Sequence, residues 1–195
     1  MSVKSSLTRF AHSVLVSRPR EESAKKTPDS SMPIVSSSHL AAGKSPALSE
    51  VEFSLTLAAN AYHRWMVRCA TAAGAQLTPL EVLILHSVYH RGRPKRFMDL
   101  MLVLHIEDAH LASYAVRKLV KAGLVKTQRQ GKEKLVEATE EGIAFCNRYR
   151  DAREQLLVES VKAGGATEEA LSLTAKQLRN LSGDYNQAAR AAATL

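Results

Sequence analysis

Residues 106–137, IEDAHLASYAVRKLVKAGLVKTQRQGKEKLVE, read as a helix, a glycine stop, a strand, a turn and a second strand. The acidic pair Glu107-Asp108 offers a side-chain acceptor to the first free N–H groups of a helix. Ala112, Ala115, Val116 and Leu119 then recur three or four apart, which places small apolar side chains on one helical face. His110, Ser113, Tyr114, Arg117, Lys118 and Lys121 fall on the other. Gly123 stands where a left-handed residue ends a helix. The runs 124–128 and 134–138 are short and strand-like, and Arg129-Gln130-Gly131-Lys132 joins them with glycine at a turn position.

A helix with a polar, basic face followed by a basic hairpin is the layout of a winged helix, a device that reads a DNA duplex. The charge agrees. The chain carries 27 Lys and Arg against 19 Asp and Glu, a net +8. Residues 76–139 hold eleven cations against six anions, and residues 1–47 hold seven against three. The excess lies in the suspected reading segment and in the N-terminal stretch, which favours a polyanionic partner.

With 195 residues the chain can bury the core of one domain and still carry an additional layer. No window approaches the roughly 18 apolar residues of a membrane span, and the first residues lack an apolar signal region, so no membrane partner is expected. Two cysteines, Cys69 and Cys146, are too few for a disulfide scaffold and fit a reducing, cytoplasmic setting. Residues 1–47, rich in Ser, Lys, Arg and Pro, are expected to form a disordered basic tail, with Leu7–Val16 able to become helical on contact.

From Leu48 to about Ala73 an apolar stripe predicts a long helix. Thr78 and Glu81 have capping-box spacing around Pro79, and Val82, Leu85 and Val88 supply the buried face of the helix they open. A third helix is expected over 97–106 with Leu100, Val103 and Leu104 inward. The cations just before it, Lys95 and Arg96 among them, lie where a phosphate could meet its N-terminus. Thr139-Glu140-Glu141 caps a helix running to about Ala163, Gly164-Gly165 breaks it, and Thr167 starts a last amphipathic helix. Residues 48–75 and 140–195 carry more apolar face than one lobe can hide, which predicts a homodimer. The expected fold is mainly α: a winged helix-turn-helix lobe over 76–139 with a two-stranded β wing, plus N- and C-terminal helices forming a dimerisation layer in a domain spanning 48–195.

Leu77-Thr78, the Leu85/Val88 pair, FMDLMLVLHI (97–106), RKLVKAGLV (117–125) and ATEEG (138–142) together resemble the MarR family of bacterial transcription regulators over residues 48–165. The resemblance implies a homodimer whose two lobes read a roughly palindromic double-stranded DNA operator and which small aromatic or anionic ligands release. By position it implies base reading by His110, Leu111, Ser113, Tyr114, Arg117 and Lys118, and wing contacts by Arg129, Lys132 and Lys134. The wing is short and lacks the family's Asp-x-Arg element, and Ala109 and Tyr114 stand where many members carry arginine. Chemistry favours Arg117 as the base reader, since a bidentate arginine–guanine pair discriminates by about 1–3 kcal/mol. The lysines suit phosphate.

The residues for catalysis are missing: no phosphate loop, nucleophile elbow or paired-cysteine motif occurs, so neither an enzyme nor a cofactor is expected. His86 and His90, at i and i+4, could offer imidazoles to a metal but lack an assured third ligand. Cys69 and Cys146 could form a thiol redox sensor, though both lie on apolar stripes. A ligand pocket lined by Tyr62, Trp65, Met66, Arg68 and Tyr89 is expected where the first and fifth helices meet the lobe. A winged-helix scaffold for protein partners is the alternative reading.

Overall fold

The computed structural model describes residues 34–195. The readings placed on residues 1–33, including a contact helix over Leu7–Val16, lie outside them. Ahead of Val51, part of the expected tail is ordered: Ser38–Ala41 forms a helical turn, α1, and the Ser49 hydroxyl donates to the Leu40 carbonyl at 2.8 Å. The long helix α2 spans Pro46–Ala72 and starts on proline, whose missing N–H costs nothing in a first turn.

From Val51 onward the core is built around α3, Pro79–Tyr89. Its start is the expected capping box, with Thr78 N–H donating to Glu81 Oε2 at 2.9 Å and Glu81 N–H to Thr78 Oγ1 at 3.4 Å. Val82, Ile84, Leu85 and Val88 are buried against Met66 and Ala70 of α2 and Phe145 of α6, the helix over Glu140–Arg153. A 3-10 turn at His90–Gly92 leads to α4, Phe97–Val103. This helix is shorter than expected: Leu104 and the left-handed His105 (φ 50°) end it, and Val103 is 69% exposed instead of facing inward.

Helix α5 spans Ala109–Lys121, and the apolar face read from its sequence is the buried one. Gly123 (φ 72°) turns the chain into β2, Val125–Gln130, which pairs antiparallel with β3, Glu133–Ala138. Gly131 and Lys132 alone form the turn, so the strands run longer than expected. The sheet also has a third strand, since β1, Lys95–Arg96, pairs with Val136 and Leu135 of β3 in the order β1-β3-β2. Two residues show no alternation, so this strand could be found only from its partner.

The wing returns beside the end of α5. Thr139 N–H donates to the Leu124 carbonyl (3.1 Å), and its hydroxyl donates to the Gly123 carbonyl (2.6 Å) while accepting from Gly142 N–H (3.0 Å). Gly142 is required here, because a Cβ would lie 2.0 Å from the Leu124 oxygen. Beyond Arg153 the rod continues through a π turn, Glu154–Val158, into α7, Glu159–Ala163. After Gly164-Gly165, α8 spans Glu168–Ala192 and buries none of its residues within the subunit.

Candidate nucleic-acid interface and adjoining cavity

Asp108 caps α5, its Oδ1 accepting from His110 N–H (2.8 Å) and Leu111 N–H (3.0 Å). The bonds from Leu111 and His110 hold its carboxyl below the usual aspartate range. With Ala112, Ala115, Val116 and Leu119 buried, helical geometry turns His110, Leu111, Tyr114, Arg117 and Lys118 outward, and leaves Ser113 half-buried. Arg117 is oriented by its own helix: one guanidinium N–H meets Ser113 Oγ at 3.4 Å, and its Cζ lies 5.9 Å from the Tyr114 ring centroid. Lys118 Nζ lies 5.8 Å from the same ring, but also 3.7 Å from buried Glu81, so it helps tie α5 to the start of α3.

The other expected DNA contacts separate into three groups. Arg129 and Lys132 stand exposed at the wing tip. Lys134 is half-buried at the wing's base, 5.1 Å from the Phe97 ring, where burial and then repulsion from Arg117 lower its ammonium pKa. Arg117 and Lys134 therefore form a cationic pair on the lobe itself. Lys95 and Arg96 are committed within the subunit. Lys95 donates to the carbonyls of His90 (2.5 Å) and Arg93 (2.9 Å), and Arg96 bridges Asp99 (2.8 and 2.9 Å) to Glu133 (3.2 Å). These contacts close the linker and pin the wing to α4, so they weigh against the phosphate role read from sequence.

A second feature lies on the far side of α3. A cavity of about 260 Å³ between α2, α3 and α6 is lined by Tyr62, Trp65 and Tyr89, three of the five residues expected there. Met66 is instead buried in the core, because the apolar stripe of α2 turns it inward, and Arg68 is exposed away from the wall. His86, Tyr149, Arg150 and Arg153 also line the cavity and were not anticipated. An arginine on the otherwise apolar stripe of α6 was the available signal. The His86 ring packs edge-on to Tyr149 at 4.6 Å, and burial lowers its pKa. Burial raises the Tyr149 hydroxyl, which stays protonated. Arg150 and Arg153 hold the neighbouring carboxylates of Asp151 and Glu154, both at 2.8 Å.

The two thiols are unsuited to redox sensing. Cys69 donates to the Tyr149 carbonyl at 3.6 Å, and burial raises its pKa; burial pushes Cys146 up to about 11. A buried thiol is a poor source of the reactive thiolate. Among the described residues, no three His, Cys, Asp or Glu side chains come together to hold a metal.

Residues 77–142 match the family described as a winged helix DNA-binding domain. The fold as a whole matches a MarR-family transcriptional regulator from Rhodococcus sp. RHA1 with TM-score 0.60 at 15% identity, over 69% of this chain and 95% of that one. Residues 77–142 are thus a winged-helix domain, in a chain whose fold is similar to that regulator's. A similar fold is seen in a mutant MarR from E. coli complexed with operator DNA (TM-score 0.59, 15% identity, 71% of this chain and 98% of that one). It is seen again in CouR from Rhodococcus jostii RHA1 bound to p-coumaroyl-CoA (TM-score 0.58, 15% identity, 67% and 90%). No curated protein matches the chain. Among the described residues, no helix is long and apolar enough to cross a membrane.

Proposed function

We propose that the chain is a homodimeric, sequence-specific transcription regulator working on DNA in the cytoplasm, tuned by a small aromatic or anionic ligand. The observation that carries this reading is the outward face of α5, where Ser113 and Tyr114 hold Arg117 above a fully buried apolar face, beside Lys134 and the wing-tip cations. Arg117 suits reading a base, while Arg129, Lys132 and Lys134 suit phosphate.

The dimer is supported by α8, which is amphipathic along 25 residues yet buries none, and leaves Leu171, Leu173 and Leu178 at least 43% exposed. Leu57 of α2 is likewise 54% exposed. A second copy covering such faces gives each operator half-site its own lobe, hence a roughly palindromic site. The cavity supports the ligand: Tyr62, Trp65 and Tyr149 suit an aromatic ring, and Arg150 and Arg153 suit an anionic group. CouR is bound to p-coumaroyl-CoA, and about 260 Å³ suits the p-coumaroyl head alone, so p-coumarate is the first probe.

The test is fluorescence anisotropy with the duplex upstream of the protein's own gene against a scrambled duplex, each across a salt series. A preference of about a thousandfold with a steep salt slope supports the reading. Equal, weak binding to both duplexes removes sequence specificity, and no binding at low salt favours a scaffold for protein partners.

A further inference from the structure

Helix α5 does not offer its outward side chains to a duplex equally. At about 100° per residue, the buried Ala112, Ala115, Val116 and Leu119 define one direction, and a groove would be met in the opposite one. His110 falls within about 10° of that opposite direction, and Tyr114 and Arg117 fall within about 30° of it, one on either side. Leu111, Ser113 and Lys118 lie about 70–90° away, at the margins of the face.

The contacts of the marginal residues agree. Leu111 and Lys118 line a groove with Pro79, Leu80 and Glu81 of α3, and Lys118 reaches the buried Glu81 carboxylate at 3.7 Å. Ser113, half-buried on the other margin, supports Arg117. Tyr114 is 53% exposed, but Arg117 and Lys118 stand over its ring at 5.9 and 5.8 Å, so it props the arginine. Arg117 gives one N–H to Ser113 and keeps the rest of its planar fork of donors. His110 is exposed, and its main-chain N–H is fixed to Asp108 Oδ1 at 2.8 Å, which anchors the turn that carries the ring.

The two side chains have a set span and a set chemistry. From His110 to Arg117 the helix rises about 10 Å and returns to within about 20° of the same line. Stacked bases lie about 3.4 Å apart, so that rise covers about two or three base pairs. Helices in a major groove elsewhere meet successive bases with residues spaced in this way. An arginine fork takes O6 and N7 of guanine. An imidazole always carries at least one N–H, and N7 is the acceptor that both purines present in the major groove.

We infer that α5 reads each half-site through two purine N7 atoms about two or three base pairs apart, a guanine through Arg117 and a second purine through His110. The inference rests on reading the chain as a sequence-specific DNA binder. It adds which side chains specify the operator and what spacing of bases the operator must carry.

The test replaces each purine of the preferred duplex in turn, one half-site at a time, by its 7-deaza analogue. That base carries C–H in place of N7 and keeps Watson–Crick pairing. Anisotropy with the full-length protein should find two sensitive positions in a half-site, each weakening binding by about 3- to 10-fold. In Arg117→Ala the guanine position should lose its sensitivity while the other keeps it, and in His110→Ala the reverse. His110→Gln, whose amide still donates, should retain part of the effect. An unchanged 7-deaza profile in His110→Ala overturns the inference, as do sensitive positions farther apart than the helix can span. Equal losses on preferred and scrambled duplexes in His110→Ala make His110 a phosphate contact and overturn it too. A preferred duplex that tolerates the analogue at every purine removes the N7 reading and leaves the regulator standing. If no duplex is preferred, the regulator reading fails and takes this inference with it.

Discussion

Replacing Gly142 by alanine tests the contact that joins the end of the recognition helix to the start of α6. The added Cβ would sit 2.0 Å from the Leu124 oxygen and 3.0 Å from its carbon, both main-chain atoms that no side-chain rotation can move. Relief requires α6 to withdraw by about 1 Å or more, given carbon–oxygen contacts near 3.3–3.6 Å. That movement disturbs the Thr139 cap on Gly142 N–H and the two bonds from Thr139 to Gly123 and Leu124. Loss of the cap costs about 1 kcal/mol. The other two bonds cost about 0.5–1.5 kcal/mol each. Alanine returns about 1 kcal/mol through helix propensity, leaving a net loss of about 1–3 kcal/mol. Urea denaturation followed by circular dichroism, at one fixed protein concentration because the proposed dimerisation would shift apparent stability, measures it. Gly183 in α8, where a Cβ meets nothing within 4 Å, is the control, and Gly183→Ala should stabilise by up to about 1 kcal/mol. A Gly142→Ala variant as stable as wild type would refute the close approach.

Arg117→Ala should weaken binding to the preferred duplex by about 5- to 150-fold, with a much smaller effect on scrambled DNA; an equal loss on both removes Arg117 as a base reader. Lys132→Ala at the wing tip should lower affinity for both duplexes alike and reduce the salt slope by about one, read from anisotropy at four salt concentrations. Thr78→Ala should cost about 1 kcal/mol in the same denaturation assay, since it leaves the first turn of α3 without its cap. His86 has its pKa lowered in the folded state, so the unfolded chain takes up the proton first as pH falls below about 6.5. Stability should therefore drop as pH falls through the window between that value and the lower folded pKa. His86→Gln should flatten the drop, and an unchanged pH profile of melting temperature in the variant would contradict the assignment.

What could be read in advance follows from the range of the interactions concerned. The four buried residues of α5 and the Thr78–Glu81 box are local, set by spacings of three or four along one helix, and both stand in the structure as expected. Arg96 illustrates the opposite case. Its partner Glu133 is 37 residues away, so nothing local marks Arg96 as a brace for the wing. Val103 was misplaced because the apolar run continues past the point where Leu104 and His105 leave the helix. Tyr62 and Trp65 were legible from the aromatic spacing of α2. Arg150 and Arg153 were missed because their place on the wall depends on where α6 crosses α2 and α3.

Arg117 and Lys134 have a consequence for measurement. They repel each other in the DNA-free protein, so dissolved anions that gather near them relieve a strain that a bound phosphate would otherwise relieve. Raising the salt concentration therefore acts on both sides of the equilibrium, shielding DNA and making the unbound protein more comfortable. A count of phosphate contacts taken from the salt slope alone will overstate the number of bonds formed, and the excess should shrink in Lys134→Met, which removes the internal repulsion. Phosphate or sulfate buffers should raise the melting temperature of the free protein more than chloride at matched ionic strength, and they are poor choices for comparing its affinities.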